Sequence, residues 1–293
     1  MHNEQAAIAA VAKPTSRFAE INGIRLHYLD WGGAARRTVV LAHGGSAHAH
    51  WWDHVAPGLT HLGRVLALDF RGHGLSAWVD PPDYGPAAYL KDLVGFLEFL
   101  GTPVVLVGHS MGGELAQRVA VYHPQLLAAL VIVDSAHGGP PMMTRLMWRW
   151  KRRKQGGPRP ELDSAEALIA RFRLSPPGHT LSRQALAELA LKGAEQLPNG
   201  KWAFRFDPRT RVWRRQRGDF AKPRLGAITA PTLLLRGEHS ALVSARTARR
   251  MHRGIRGSVL RTIPHAHHHV PLDNPAATVA AISEFVISLD ARH

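Results

Sequence analysis

The chain has 293 residues, of which 45% are hydrophobic and 20% charged, the composition of a globular protein rather than a disordered one. It contains no cysteine, which excludes disulfides, thiolate catalysis, iron–sulfur clusters and cysteine-ligated zinc. No apolar run is long enough to span a bilayer, and a net charge of +15 makes a polyanionic partner something to weigh.

The excess charge is local. Between His137 and Ala230 there are 20 Lys/Arg against 7 Asp/Glu, while the rest of the chain has 17 against 15. The Ala-rich opening, residues 1–15, lacks a basic n-region and has only a short apolar stretch. It reads as a frayed or loosely docked leader rather than a signal peptide, with the cytoplasm as the default location.

Further along, Arg37–Ala42, Val65–Asp69, Val104–Gly108 and Leu130–Asp134 are short, β-branched and apolar on both faces, as buried parallel strands are. Helical periodicity fills the gaps at Ala87–Leu100 and Gly112–Tyr122. This alternation predicts a mostly parallel sheet with helices on both faces. From 140 to 225 the pattern changes: Pro- and Gly-rich turns punctuate short helical pieces and no strand-like run is evident. Strand patterns resume at Pro231–Arg236 and Ser258–Ile263, and a last helix is expected over Pro275–Leu289. The simplest layout is one α/β core, residues 1–136 and 226–293, with a helical insertion, 137–225, after the sixth strand.

One motif carries chemistry. Gly108-His109-Ser110-Met111-Gly112 is G-x-S-x-G, preceded by an apolar strand and followed by a helix. A sharp strand-to-helix turn holds the serine in a strained backbone, so its neighbours must be small. The helix start offers unpaired N–H groups to a developing oxyanion.

With this motif the chain resembles the α/β-hydrolase family, on both sides of the insertion. His43-Gly44-Gly45-Ser46 is similar to the family's oxyanion loop, which implies an oxyanion hole from the N–H groups of Gly45 and Met111 and a structural His43. Asp69-Phe-Arg-Gly-His-Gly-Leu-Ser76 resembles a family loop whose glycines and Arg71 fix geometry. Ile263-Pro-His-Ala-His-His-His-Val-Pro-Leu-Asp-Asn-Pro275 resembles the family segment that carries the catalytic histidine. Aligned so, His268 is the general base for Ser110, His267 replaces the usual glycine, and His265 and His269 are rim or packing residues. A metal site built from His265, His267, His268 and His269 is the weaker reading, because adjacent loop histidines diverge and no zinc-type motif accompanies them.

The acid departs from the usual pattern. The family's common G-x-x-D is here Gly237-Glu238-His239-Ser240, with Ser240 where the Asp would stand. Asp134, at the end of the strand after the nucleophile helix, is favoured over Glu238, which lies two residues early; some family members carry their acid at the Asp134 position.

The resemblance makes the insertion a cap over the site. Trp148, Trp150, Trp202 and Trp213 there could wall a pocket or pack the cap. Trp51 and Trp52 could line an acyl pocket or simply pack, and His109 is a further pocket candidate. The basic runs Arg149–Lys154 and Arg209–Arg217 carry no nucleic-acid motif and read as a solvated arginine-rich face. The expected function is a serine esterase or lactonase acting on a small molecule by an acyl-enzyme route, with no cofactor or metal and no specific nucleic acid. A carbon–carbon bond hydrolase, an acyltransferase and a non-catalytic binding module on the same fold are the alternatives.

Overall fold

The computed structural model describes residues 13–33, 37–137, 158–210 and 222–291. Among the described residues there are ten strands: β1 Thr15–Ile21, β2 Ile24–Asp30, β3 Thr38–Ala42, β4 Arg64–Leu68, β5 Val104–His109, β6 Leu127–Val133, β7 Ala194–Gln196, β8 Trp202–Phe204, β9 Thr232–Gly237 and β10 Val259–Ile263. Eight of them form one sheet in the order β1-β2-β4-β3-β5-β6-β9-β10. From β4 to β10 every pairing is parallel, and β1 and β2 are antiparallel at one edge.

The inner strands β3, β4, β5, β6 and β9 are buried on both sides because they are apolar at odd and even positions alike. In β5, Val104 and Leu106 enter one core cluster and Val105 and Val107 the other. Helices α1 Pro86–Leu100 and α2 Met111–Tyr122 cover the first face, through Tyr89, Leu93, Phe96, Leu115 and Val119. The last long helix, Pro275–Asp290, covers the second through Ile282, Phe285 and Val286.

The region between β6 and β9 holds α3 Ala165–Arg171 and α4 Arg183–Lys192, each N-capped by a serine. It also holds the β7–β8 hairpin, with Ala194 opposite Phe204. The expectation of no strand in this region is therefore corrected: Asn199-Gly200, with Gly200 at φ 82°, closes a two-stranded ribbon rather than a loop between helices. Leu168, Ala190 and Ala194 make a small core there, on which Trp202 packs, so Trp202 serves the packing of this region itself. Residues 1–12, Trp148, Trp150, Trp213, the Arg149–Lys154 run and most of the Arg209–Arg217 run lie outside the described residues.

The remaining helices follow the sheet's far edge: α5 Ala245–Gly254 after β9, then α6 Val270–Asp273 and α7 Pro275–Asp290 after β10. Among the described residues no helix is long and apolar enough to cross a membrane.

Candidate active site

The loops that leave the carboxyl ends of β3, β5, β6, β9 and β10 converge at one edge of the sheet, where open parallel sheets bind ligands. They bring Gly44–Gly45, Ser110, Asp134, Ser240 and His268 together.

Ser110 is the N-cap of α2 at φ 51°, ψ −111°, a conformation disfavoured for any residue with a side chain. Close backbone approach enforces it. A methyl group on Gly108 would come within 2.5 Å of the Gly112 carbonyl oxygen, and one on Gly112 would run into the Ala42 carbonyl. The strain is not spread at random. Of the five non-glycine residues with positive φ among the described residues, Ser46, Ser110 and Asp134 lie at this site, each at a cost of roughly 1–3 kcal/mol held by the surrounding fold.

Three side chains form a continuous relay. Ser110 Oγ lies 3.0 Å from His268 Nε2, and His268 Nδ1 lies 2.7 Å from Asp134 Oδ2. Asp134 is 1% exposed and His268 3%. The carboxylate also accepts the Gly237 N–H at 3.0 Å and the Ser240 hydroxyl at 2.6 Å. Burial pushes the Asp134 carboxyl above the usual carboxylate range, while the Ser240 and Gly237 hydrogen bonds pull it back. A hydrogen-bonded carboxylate fixes the imidazole with its Nδ1 protonated and its Nε2 facing the serine.

Met111 opens α2, so its N–H belongs to the first helical turn, whose donors have no intrahelical acceptor. The glycine loop lies against it: a methyl group on Gly44 would sit 3.2 Å from Ser110 Cβ, and one on Gly45 would sit 3.9 Å from Met111 Sδ. His43 holds this loop from below. It donates Nδ1–H to the Gly44 carbonyl at 2.6 Å and accepts the Phe70 N–H at 3.1 Å.

Two pocket expectations change. His109 is only 2% exposed, and its Nε2–H donates to the His268 carbonyl at 2.8 Å, so it holds the backbone of the histidine beside it rather than lining a pocket. Trp52 is 1% exposed and packs in the main core with Val55 and Leu59. Trp51 differs. It stacks on His109 at 6.3 Å between ring centroids and meets His269 edge-on at 5.4 Å. It also belongs to an apolar cluster with Ala47, Leu174, Leu189 and Leu272, which joins the glycine loop, the region between β6 and β9, and α6.

Glu238 stands apart from the relay. It is exposed, and its carboxylate accepts the His265 N–H at 2.9 Å. Arg236 turns to the Glu238 carbonyl instead of its carboxylate. Two contributors left no mark as motifs. Ser240 is visible in the sequence only as the residue that replaces the usual Asp, yet it hydrogen-bonds Asp134. Asp273 ties the histidine loop to the region between β6 and β9: it accepts the N–H of His267 and the N–H of Thr180, both at 2.8 Å. Nearby, His269 donates to the Pro176 carbonyl at 2.9 Å.

Fold and site geometry together define a class. The chain belongs to the α/β-hydrolase family, whose profile matches residues 39–282. It is 30% identical to an esterase of Mycobacterium tuberculosis, over 95% of this chain and 92% of that one. It is 27% identical to 2-hydroxy-6-oxo-6-(2'-aminophenyl)hexa-2,4-dienoic acid hydrolase of Metapseudomonas resinovorans, over 97% and 94%. Among solved structures, an α/β hydrolase from Novosphingobium aromaticivorans superimposes with a TM-score of 0.76 at 26% identity, covering 95% of this chain and 99% of that one. These relatives support a hydrolase activity.

Proposed function

We propose that the chain is a serine hydrolase that cleaves a carboxylic ester or lactone through an acyl-enzyme. The observation that carries this is the relay of 3.0 Å and 2.7 Å from Ser110 through His268 to Asp134. His268 takes the Ser110 proton as the serine oxygen attacks the substrate carbonyl. The tetrahedral oxyanion then rests on the N–H groups of Gly45 and Met111. His268, now protonated and stabilised by Asp134, gives its proton to the leaving oxygen, and water attacks the acyl-enzyme by the same route in reverse.

The apolar cluster around Trp51 places hydrocarbon rather than charge next to the relay, which favours an uncharged acyl group. The region between β6 and β9 acts in this reading as the cap, clasped to the His268 loop through Asp273 and His269. A panel of p-nitrophenyl esters of increasing acyl length tests the reading. Turnover by the wild type, with a preference for medium apolar acyl chains and none in Ser110→Ala, is the expected result. No turnover on any ester would sink it.

One relative keeps a second reading in play. The similarity to the Metapseudomonas resinovorans hydrolase extends over 97% of the chain, so carbon–carbon cleavage of a vinylogous diketone acid is the alternative substrate class. Faster turnover of such a dienoic acid than of any ester would favour it.

A further inference from the structure

Outside the relay, Glu238 and His239 on the loop after β9 meet His265 on the loop after β10. One ligand atom from each lies within 4.8 Å of those of the other two, and His239 Nε2 is already 3.6 Å from Glu238 Oε2. Backbone hydrogen bonds fix the two loops against each other. The Glu238 N–H donates to the Ile263 carbonyl at 3.0 Å and the His239 N–H to that of Ala266 at 2.8 Å. The approach is so close that a methyl group on Gly237 would collide with the His267 carbonyl. Arg236, the cation beside the cluster, spends its guanidinium on the carbonyl oxygens of Val243 and Glu238, at 2.8 and 2.9 Å.

We propose that Glu238, His239 and His265 form a binding site for a divalent transition-metal ion of the Zn2+ type. Two imidazoles and one carboxylate are donors that Zn2+, Ni2+ and Cu2+ take readily, whereas Mg2+ and Ca2+ demand oxygen. With metal–ligand bonds of about 2.0–2.1 Å, a tetrahedral ion needs its ligand atoms roughly 3.3 Å apart. All three side chains are exposed, so rotamer adjustments can close the remaining gap while the backbone stays fixed. Three protein ligands leave a fourth position for water. The ion would bridge two loops that matter: one carries Ser240, which hydrogen-bonds Asp134, and the other carries His268, three residues beyond His265. Its binding would therefore stabilise the folded chain by mass action.

Calorimetric titration of the metal-stripped chain with Zn2+, repeated with Co2+ to read the visible spectrum of a tetrahedral site, tests the proposal. One equivalent per chain is expected for the wild type, with a rise in Tm and no heat from Mg2+. Glu238→Gln and His239→Ala change exposed side chains, and His265→Asn keeps a residue tolerant of the left-handed backbone at φ 56°. Each should weaken binding by more than about tenfold, with the metal-free Tm of each variant checking its fold. The chain has 19 histidines, so stoichiometric binding that survives unchanged in Glu238→Gln and His239→Ala belongs elsewhere and overturns the proposal. So does the absence of any binding by the wild type.

Discussion

Asp134 and Glu238 sit at the carboxyl ends of two paired strands, β6 and β9, and their surroundings are opposite. Asp134 is buried and takes hydrogen bonds from His268, Ser240 and the Gly237 backbone. Glu238 is exposed, and its carboxylate faces the His265 backbone and the His239 ring. A carboxylate in a dry, hydrogen-bonded setting stabilises an adjacent imidazolium far better than a solvated one, whose field water screens. What separates an acid of the relay from a surface carboxylate here is therefore wiring and burial, not the strand end it occupies.

The sharpest way to break that comparison is to neutralise each carboxylate in turn. Asp134→Asn should lower kcat/KM for an ester by about 10⁴, because the amide favours the wrong imidazole tautomer. Moving the acid to the family's usual position should undo part of this loss. The Ser240 hydroxyl is 2.6 Å from Asp134 Oδ2, so the double variant Asp134→Ser with Ser240→Asp puts a carboxylate near the same place. It should regain at least about tenfold over Asp134→Asn in the same assay, the size of one hydrogen bond to a charge. Ser240→Ala alone should cost about tenfold in kcat. Glu238→Gln should leave kcat/KM within about twofold of wild type.

The contrast between buried and exposed groups extends to the histidines and to stability. Burial holds His43, His48 and His269 down to about 4 and His73 to about 3. Unfolding frees them to bind protons below their ordinary value of about 6.5. The unfolded chain therefore carries more protons between pH 6.5 and 4, and stability is complete above that window and falls on acidification through it. Each such histidine contributes a slope of ~1.4 kcal/mol per pH unit. Asp69 adds to the loss at lower pH. Burial raises its carboxyl, but the His27 hydrogen bond and nearby histidines bring it down to about 2, so its contribution fades as pH falls from about 4 to 2. Urea midpoints measured from pH 7.5 to 4.5 should drop steeply below about 6.5. A flat profile would mean these histidines are hydrated in solution.

Much of this was legible in the sequence. The five inner strands β3, β4, β5, β6 and β9 were marked by runs that are mostly apolar, the exposed edge strand β10 by its shorter Val259-Leu260 pair and Ile263, and the turn around Ser110 by its flanking glycines, because steric demands leave few residue choices at buried positions. Two hairpins were not. The β1–β2 edge pair has an outer strand exposed at most positions, so no hydrophobic run announces it. Its Asn22-Gly23 turn, at φ 55° and 74°, was the available signal, and Asn199-Gly200 between β7 and β8 was another of the same kind. Helix α5 buries only Ala248 and Met251 beneath a run of arginines, too narrow an apolar stripe to stand out. The pairing of Ser240 with Asp134 joins residues 106 positions apart, and the hold of His109 on the His268 carbonyl spans 159. No local pattern encodes contacts of that kind.

The most direct test of the account needs no knowledge of the substrate: the rate at which a fluorophosphonate labels the chain, read by mass spectrometry of the intact protein and its peptides. One adduct is expected, on the peptide containing Ser110, forming equally fast in wild type and Glu238→Gln. Labelling should be at least about a hundredfold slower in Asp134→Asn and absent in Ser110→Ala. An adduct elsewhere, or a rate that falls with Glu238→Gln and not with Asp134→Asn, would contradict it.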